Sequence, residues 1–304
     1  MLDQDTFLTT LYVTIDDFCR LSLPKETAHP GPSASLSRSE VITLALFGQW
    51  ARFRSERDFW RYVTTCLTHL FRRLPDLSQF NRLQRIHYRD ILAFNQSLVE
   101  RMEAQNSAFE VLDRCGVATR WCGRRGVGWL PGVTDKGYCS RLRYFEGFAL
   151  LTSVNPEGVI MGFAVGPASA KDQPLAEAFF YCRHAQVFPW VGNACHSGDY
   201  ITDEGFNGKQ RHENWRDWFG VEVIHAEAGC TRLWRRSIAS MRQIIESVHG
   251  CLLNTFRLSS ERPHDLAGFF ARLSSKVSLH NFCIWLNRCL GRASLAFADL
   301  LGWR

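Results

Sequence analysis

Three carboxylates stand where carboxylates are expensive to put. Asp113 closes the apolar run Phe109-Glu110-Val111-Leu112, Asp203 closes the short run Tyr200-Ile201-Thr202, and Glu246 lies mid-way along an amphipathic stretch. A charged group at the end of an apolar strand must be paired or bound to a cation. The chemistry such a set can do is specific: two Mg2+ or Mn2+ ions about 3.5–4 Å apart, held by hard oxygen ligands, activate one oxygen and stabilise another in phosphoryl transfer. Each acid also has a plain alternative. Asp113 would begin a turn, Asp203 would cap the following helix, and Glu246 would pair with Arg242 at i−4.

Positioning three distant acids needs a sheet, and the pattern after residue 106 supplies one. Phe109–Asp113 reads as a strand. The stretch 114–143, with Gly116, Gly123, Gly126, Gly128, Gly132 and Gly137, reads as irregular. Residues 148–154 and 159–165, joined by Asn155-Pro156-Glu157-Gly158, read as a β-hairpin. A helix follows from Asp172, then the strand 200–202, a helix over 210–218, a strand over 221–225, and helices over about 236–255 and 265–290. This order predicts an α/β, ribonuclease H-like mixed sheet with flanking helices. On such a sheet Asp113 and Asp203 sit at strand ends, where ligand sites gather.

Residues 1–106 read as an all-helical domain and 107–304 as the sheet domain. Ser37-Arg38-Ser39-Glu40 forms a capping box ahead of Val41, Ile42, Leu44, Ala45 and Phe47. Ser55 to Asp58 starts a second helix that Pro75 ends, and an apolar pattern from Ser78 predicts one long helix reaching Gln105. Arg52, Arg54, Arg57 and Arg61 gather at a helix start, which suits either DNA-end binding or dimerisation.

The 304 residues are 46% apolar and carry a net charge of +6, which excludes a disordered chain. The charge alternates: +1 over 1–100, −2 over 101–113, +6 over 114–143, −6 over 144–229 and +7 over 230–304. Basic segments around an acidic middle suit a polyanion held against metal-binding carboxylates, or simply a solvated surface. Apolar runs are far shorter than the ~20 residues of a membrane span and the start is acidic, so a cytoplasmic protein with no membrane partner is expected. Eleven cysteines without a C-x-x-C pair point to reduced, packed thiols. Cys182, His184, Cys195 and His196 do not have the spacing of a zinc module.

Several stretches in one order resemble the DDE transposases of bacterial insertion sequences. They are residues 36–63 and 70–85 in the helical part, "VLD" ending at Asp113, the hairpin and helix over 144–180, "YITDEGFNGK" around Asp203, "RQIIESVHGCLLNTFRL" around Glu246 and the closing helix over 270–287. The resemblance implies Asp113, Asp203 and Glu246 as catalytic and metal ligands. It also implies two Mg2+ or Mn2+ ions, cleavage at element ends, and attack of the resulting 3′-hydroxyl on target DNA. Implied partners are the terminal inverted repeats and target DNA, bound by a homo-oligomer. Arg242, Lys209, Arg124, Arg125, Arg141, Arg143, Arg235 and Arg236 are candidate contacts to the DNA backbone. The family's glutamate helix also carries a tyrosine and a lysine, and here Ala239 and Leu253 occupy those positions. Thr134-Asp135-Lys136-Gly137 echoes Thr202-Asp203-Glu204-Gly205, but Asp135 precedes the hairpin, which favours Asp203. Two other readings share these residues: a nuclease that never joins strands, and an inactive copy that only binds DNA.

Overall fold

The computed structural model describes residues 1–25, 34–121, 130–184, 198–226 and 229–303. The chain forms two compact units, one of residues 1–97, 254–257 and 265–304, the other of residues 98–253 and 258–264. The sequence boundary at 106/107 is therefore corrected: the C-terminal segment joins the helical unit.

The reason lies in one helix. The helical unit holds α1 (Gln4–Ser22), α2 (Arg38–Phe47), α3 (Glu56–Cys66), α4 (Leu77–Ile86), most of α5 (Tyr88–Arg101) and α9 (Leu266–Cys289). α9 is buried on nearly every side, and a helix without a polar face must be surrounded. Three of its buried polar side chains find partners inside the unit. Lys276 donates to Gln49 Oε1 at 2.5 Å, Ser278 to the Ile91 carbonyl at 3.0 Å and Asn281 to Asn95 at 2.8 Å.

Local signals set the starts of these helices. The capping box of Ser37 and Glu40 is formed, and Ser55 accepts the Asp58 N–H. α1, capped by Asp3, has no counterpart in the sequence reading. Two expectations are corrected. α3 stops at Cys66, well before Pro75, because the chain turns to bury Leu67 and Phe71. The long helix from Ser78 is two helices, broken at His87, whose ring meets Asp90 at 2.8 Å; the apolar period continues because both halves bury Phe80, Leu83, Ile91 and Phe94.

The second unit is a mixed six-stranded sheet of β1 (Glu110–Trp121), β2 (Asp135–Cys139), β3 (Arg143–Val154), β4 (Ile160–Pro167), β5 (Asp199–Ile201) and β6 (Glu222–Ile224). β3 runs antiparallel to β1 on one side. On its other side it pairs with β2 through residues 143–147 and with β4 through 148–154. β5 and β6 continue the sheet parallel to β1. The hairpin and both short strands lie where the sequence puts them.

The irregular reading of 114–143 is overturned in its described part. β1 runs on to Trp121, and β2 and the start of β3 fall in the same stretch. Gly116 and Gly137 serve close packing rather than turning, whereas Gly132, at φ +82°, does turn. A Cβ on Gly116 would lie 2.7 Å from Phe145 Cζ, and one on Gly137 2.2 Å from the Ala168 carbonyl oxygen. Helices α6 (Asp172–His184) and α7 (Lys209–Phe219) cover one face through Leu112, Phe179, Phe180, Tyr200 and Trp215. α8 (Arg232–Gly250) packs against β1, β3 and β5.

Candidate functional site

Alternation along β1 decides where Asp113 points. Leu112 lies in the core under α6 and α7, so its neighbour Asp113 faces the other side of the sheet, toward α8. Asp113 is the fourth residue of a twelve-residue strand, which corrects its placement at a strand end. The strand that stops is the neighbour. β5 pairs with β1 through Glu110–Tyr200 and Val111–Ile201 and ends there. Two residues further along each chain, at the same level, stand Asp113 and Asp203.

Both carboxylates are held by their own backbone. Asp113 Oδ1 accepts the Arg114 N–H at 2.7 Å, and Asp203 Oδ1 accepts the Gly205 N–H at 2.9 Å, capping the 3-10 turn Glu204–Phe206. Each presents its Oδ2 to Nη2 of Arg242 at 3.7 Å. The Arg242 Nε is buried and makes no hydrogen bond. Burial, with Asp203 nearby, pushes the Asp113 carboxyl up to about 6, against the opposing pull of the Arg114 N–H and Arg242.

A third carboxylate, not singled out as a ligand from the sequence, belongs to this neighbourhood. Asp172, the first residue of α6, pairs with Arg114, and a Cβ on Gly205 would lie 2.6 Å from Asp172 Oδ2 and 3.0 Å from Asp203 Oδ1. Burial raises the Asp172 carboxyl, Arg114 lowers it and Asp203 raises it. No sequence signal separates Asp172 from an ordinary helix-starting aspartate.

Glu246 is not brought into the group. At 100° per residue it lies about 40° beyond Arg242 on α8, away from the buried side chains of Ile238, Ile245 and His249, and it is exposed. Among the described residues no three His, Cys, Asp or Glu side chains are close enough together to hold a metal ion. The pair Asp113 and Asp203 nonetheless suits a hard divalent cation: its donors are all oxygen, and they already share one positive charge.

His249, three residues after Glu246 on α8, is buried, 7% exposed. Its Nε2 meets Thr152 Oγ1 at 2.5 Å, and Thr152 is the cross-strand partner of Asp113 on β3. Burial, then Arg141, lowers the His249 imidazole to about 4, so it is neutral at pH 7.

The candidate DNA contacts fall in different places. Arg141 donates to the Gly116 carbonyl at 2.8 Å, and exposed Arg143 donates to Tyr138 Oη at 3.1 Å. Lys209 is exposed at the start of α7. Arg235 and Arg236 are exposed in the first turns of α8, and Arg235 is about 10 Å along the helix from Arg242. Arg124 and Arg125 lie outside the described residues, as do Cys195 and His196. Cys182 packs on the sheet core and the His184 Nε2 meets Tyr200 Oη at 3.1 Å. The nine cysteines among the described residues are free. No helix among those residues is long and apolar enough to cross a membrane.

Compared with models of protein families, with curated proteins and with solved structures, the chain matches none.

Proposed function

We propose that this protein is a DDE-type transposase whose sheet unit, ribonuclease H-like, carries out metal-dependent phosphoryl transfer on DNA. One observation carries the reading: Asp113 on β1 and Asp203, two residues past the end of its parallel neighbour β5 and ninety residues away in sequence, stand level and share the guanidinium of Arg242. Packing alone gives no reason to bring two carboxylates together with one of them pushed up to about 6; binding of cations does. The strand order β4-β3-β1-β5-β6, with the first three antiparallel and the last two parallel to β1, supports the same reading.

In this proposal Asp113 and Asp203 would hold the ions, while the Arg114 and Gly205 N–H groups keep each Oδ1 in place. Glu246, the third acid that the resemblance implies, lies exposed on α8 outside this pair. When bound, Mg2+ or Mn2+ would activate a water or a 3′-hydroxyl and stabilise the departing oxygen. Arg242 then offers its charge to a phosphate in the same cleft. Neutral His249, bonded to Thr152, keeps α8 seated beside Asp113.

The test is incubation of the full chain with the DNA flanking its own coding region and Mg2+ or Mn2+. Nicking at the element ends followed by joined products is expected, and both are expected to vanish in Asp203→Asn. Hydrolysis without joining would select a nuclease. The exposure of Glu246, outside any three-donor cluster, favours a second reading, a chain that binds element ends without cutting them; it predicts metal-independent binding and intact DNA.

A further inference from the structure

Next to the acidic pair the sheet unit has an open pocket of about 630 Å3, between the β2–β3 hairpin and the start of α6. Gly205 and the ion pair of Arg114 with Asp172 form the wall nearest Asp203. The pocket is built rather than incidental. Gly137 lets β2 approach the Ala168 backbone where a Cβ would not fit, and the Ser169 N–H donates to Asp135 Oδ1 at 2.8 Å while its hydroxyl bonds the other oxygen. Asp135, the echo of Asp203, thus fastens the pocket loop to the edge strand.

Its lining has two parts. Lys136 and Lys171 are exposed and make no ion pair among the described residues, whereas the charge of Arg114 is taken by Asp172. Tyr138 and Tyr144, cross-strand partners, are 49% and 70% exposed, with ring centroids 5.2 Å apart and edge to face. Two tyrosines exposed at the mouth of a pocket are an apolar surface left for a ligand. Aromatic faces beside unpaired ammonium groups match one chemistry, a flat ring carrying a phosphate. The volume falls in the range of small-molecule sites, ~300–1,000 Å3. Paired bases in a duplex are already stacked and offer no face.

We propose that this pocket is a nucleotide subsite, in which one unpaired nucleotide lays its base on Tyr144 and Tyr138 and its phosphate is held by Lys136 and Lys171. The choice of a strand over a free nucleotide rests on the DNA reading above; the pocket chemistry does not. Lys136, Tyr138 and Gly137 sit on an edge strand, so a single strand can lie along the hairpin with its next phosphates running toward Asp203.

The experiment measures binding of fluorescein-labelled (dT)8 to the full chain by anisotropy, in EDTA so that no cleavage contributes. Tyr144→Ala is expected to weaken binding about 5- to 100-fold, with Tyr144→Phe close to the unaltered protein. Lys136→Ala with Lys171→Ala is expected to weaken binding and to lower the salt slope by about 1.4, roughly 0.7 for each phosphate no longer neutralised. Binding of a blunt duplex should change less than two-fold in Tyr144→Ala. All these positions are exposed, and circular dichroism checks the fold of each variant. Failure of (dT)8 to bind, or affinity within two-fold in both the Tyr144→Ala and the double lysine variants, overturns the proposal. Unlabelled dTMP competing better than (dT)8 overturns the strand as its source. Absence of cleavage with Tyr144-dependent (dT)8 binding intact would remove the transposase reading and leave the pocket standing.

Discussion

Asp113 and Asp203 direct their Oδ2 atoms at one nitrogen, Nη2 of Arg242, 3.7 Å from each, while each Oδ1 is held by a backbone N–H beside it. The pair is therefore oriented by the main chain and half neutralised by a side chain. That separation of tasks makes the consequences of each substitution distinct.

Arg242→Gln removes the positive charge from between two carboxylates. It is expected to destabilise the metal-free protein by about 1–3 kcal/mol at pH 8 and by less at pH 5, where Asp113 is protonated. Millimolar Mn2+ should restore part of the loss. Urea unfolding with and without Mn2+ checks this; equal losses at both pH values would contradict it.

The Asp113 carboxyl, raised to about 6 by burial first and Asp203 next, holds its proton more tightly folded than unfolded. Its contribution to stability is complete below about pH 4 and is lost as pH rises through 6. Asp113→Asn, which keeps an acceptor for the Arg114 N–H, should abolish that fall and gain on the order of 3 kcal/mol at pH 7.5 in EDTA. Urea midpoints from pH 4 to 8 give the answer.

His249 has the opposite sign. Its lowered value, about 4, means that the unfolded chain takes up a proton first, so stability is lost as pH falls from 6.5 toward 4. Its ring resonances should show no titration above pH 5. Thr152→Val strands the buried Nε2 and is expected to cost about 1–3 kcal/mol, read from the thermal midpoint.

Glu110 and Arg183, both fully buried, form a two-pronged pair at 2.6 and 3.0 Å, joined by Tyr200 Oη at 3.2 Å and by Ser153. The pair ties the end of α6 to the strands β1 and β5 just before the aspartates. Glu110→Gln should cost about 3–5 kcal/mol by leaving a buried guanidinium uncompensated, and adding Arg183→Met should recover much of it. Urea denaturation of the single and double variants tests the pairing.

Much of the architecture can be read along the chain because its signals are local. The capping box at Ser37 and Glu40, the cap at Ser55 and the turn Asn155–Gly158 each lie within a few residues of what they specify. Where a local signal misleads, packing decides. Gly116 and Gly137, which promise turns, instead admit Phe145 and the Ala168 backbone into a close-packed sheet, and an unbroken apolar period hides the break at His87.

The candidate site divides along the same line. Residue types and element order by themselves tied Asp113 and Asp203 to two strands of one sheet, Asp203 by the run that it closes. Only the tertiary structure decided that they stand level, that Arg242 sits between them, that Asp172 joins their neighbourhood and that Glu246 stays outside. Strand register and helix rotation act over tens of residues: one step along a strand reverses a side chain, and about 40° around a helix separates a residue at the buried edge from one in solvent. No run of neighbouring residues encodes either, so these relations exist only once β1, β5 and α8 have packed together.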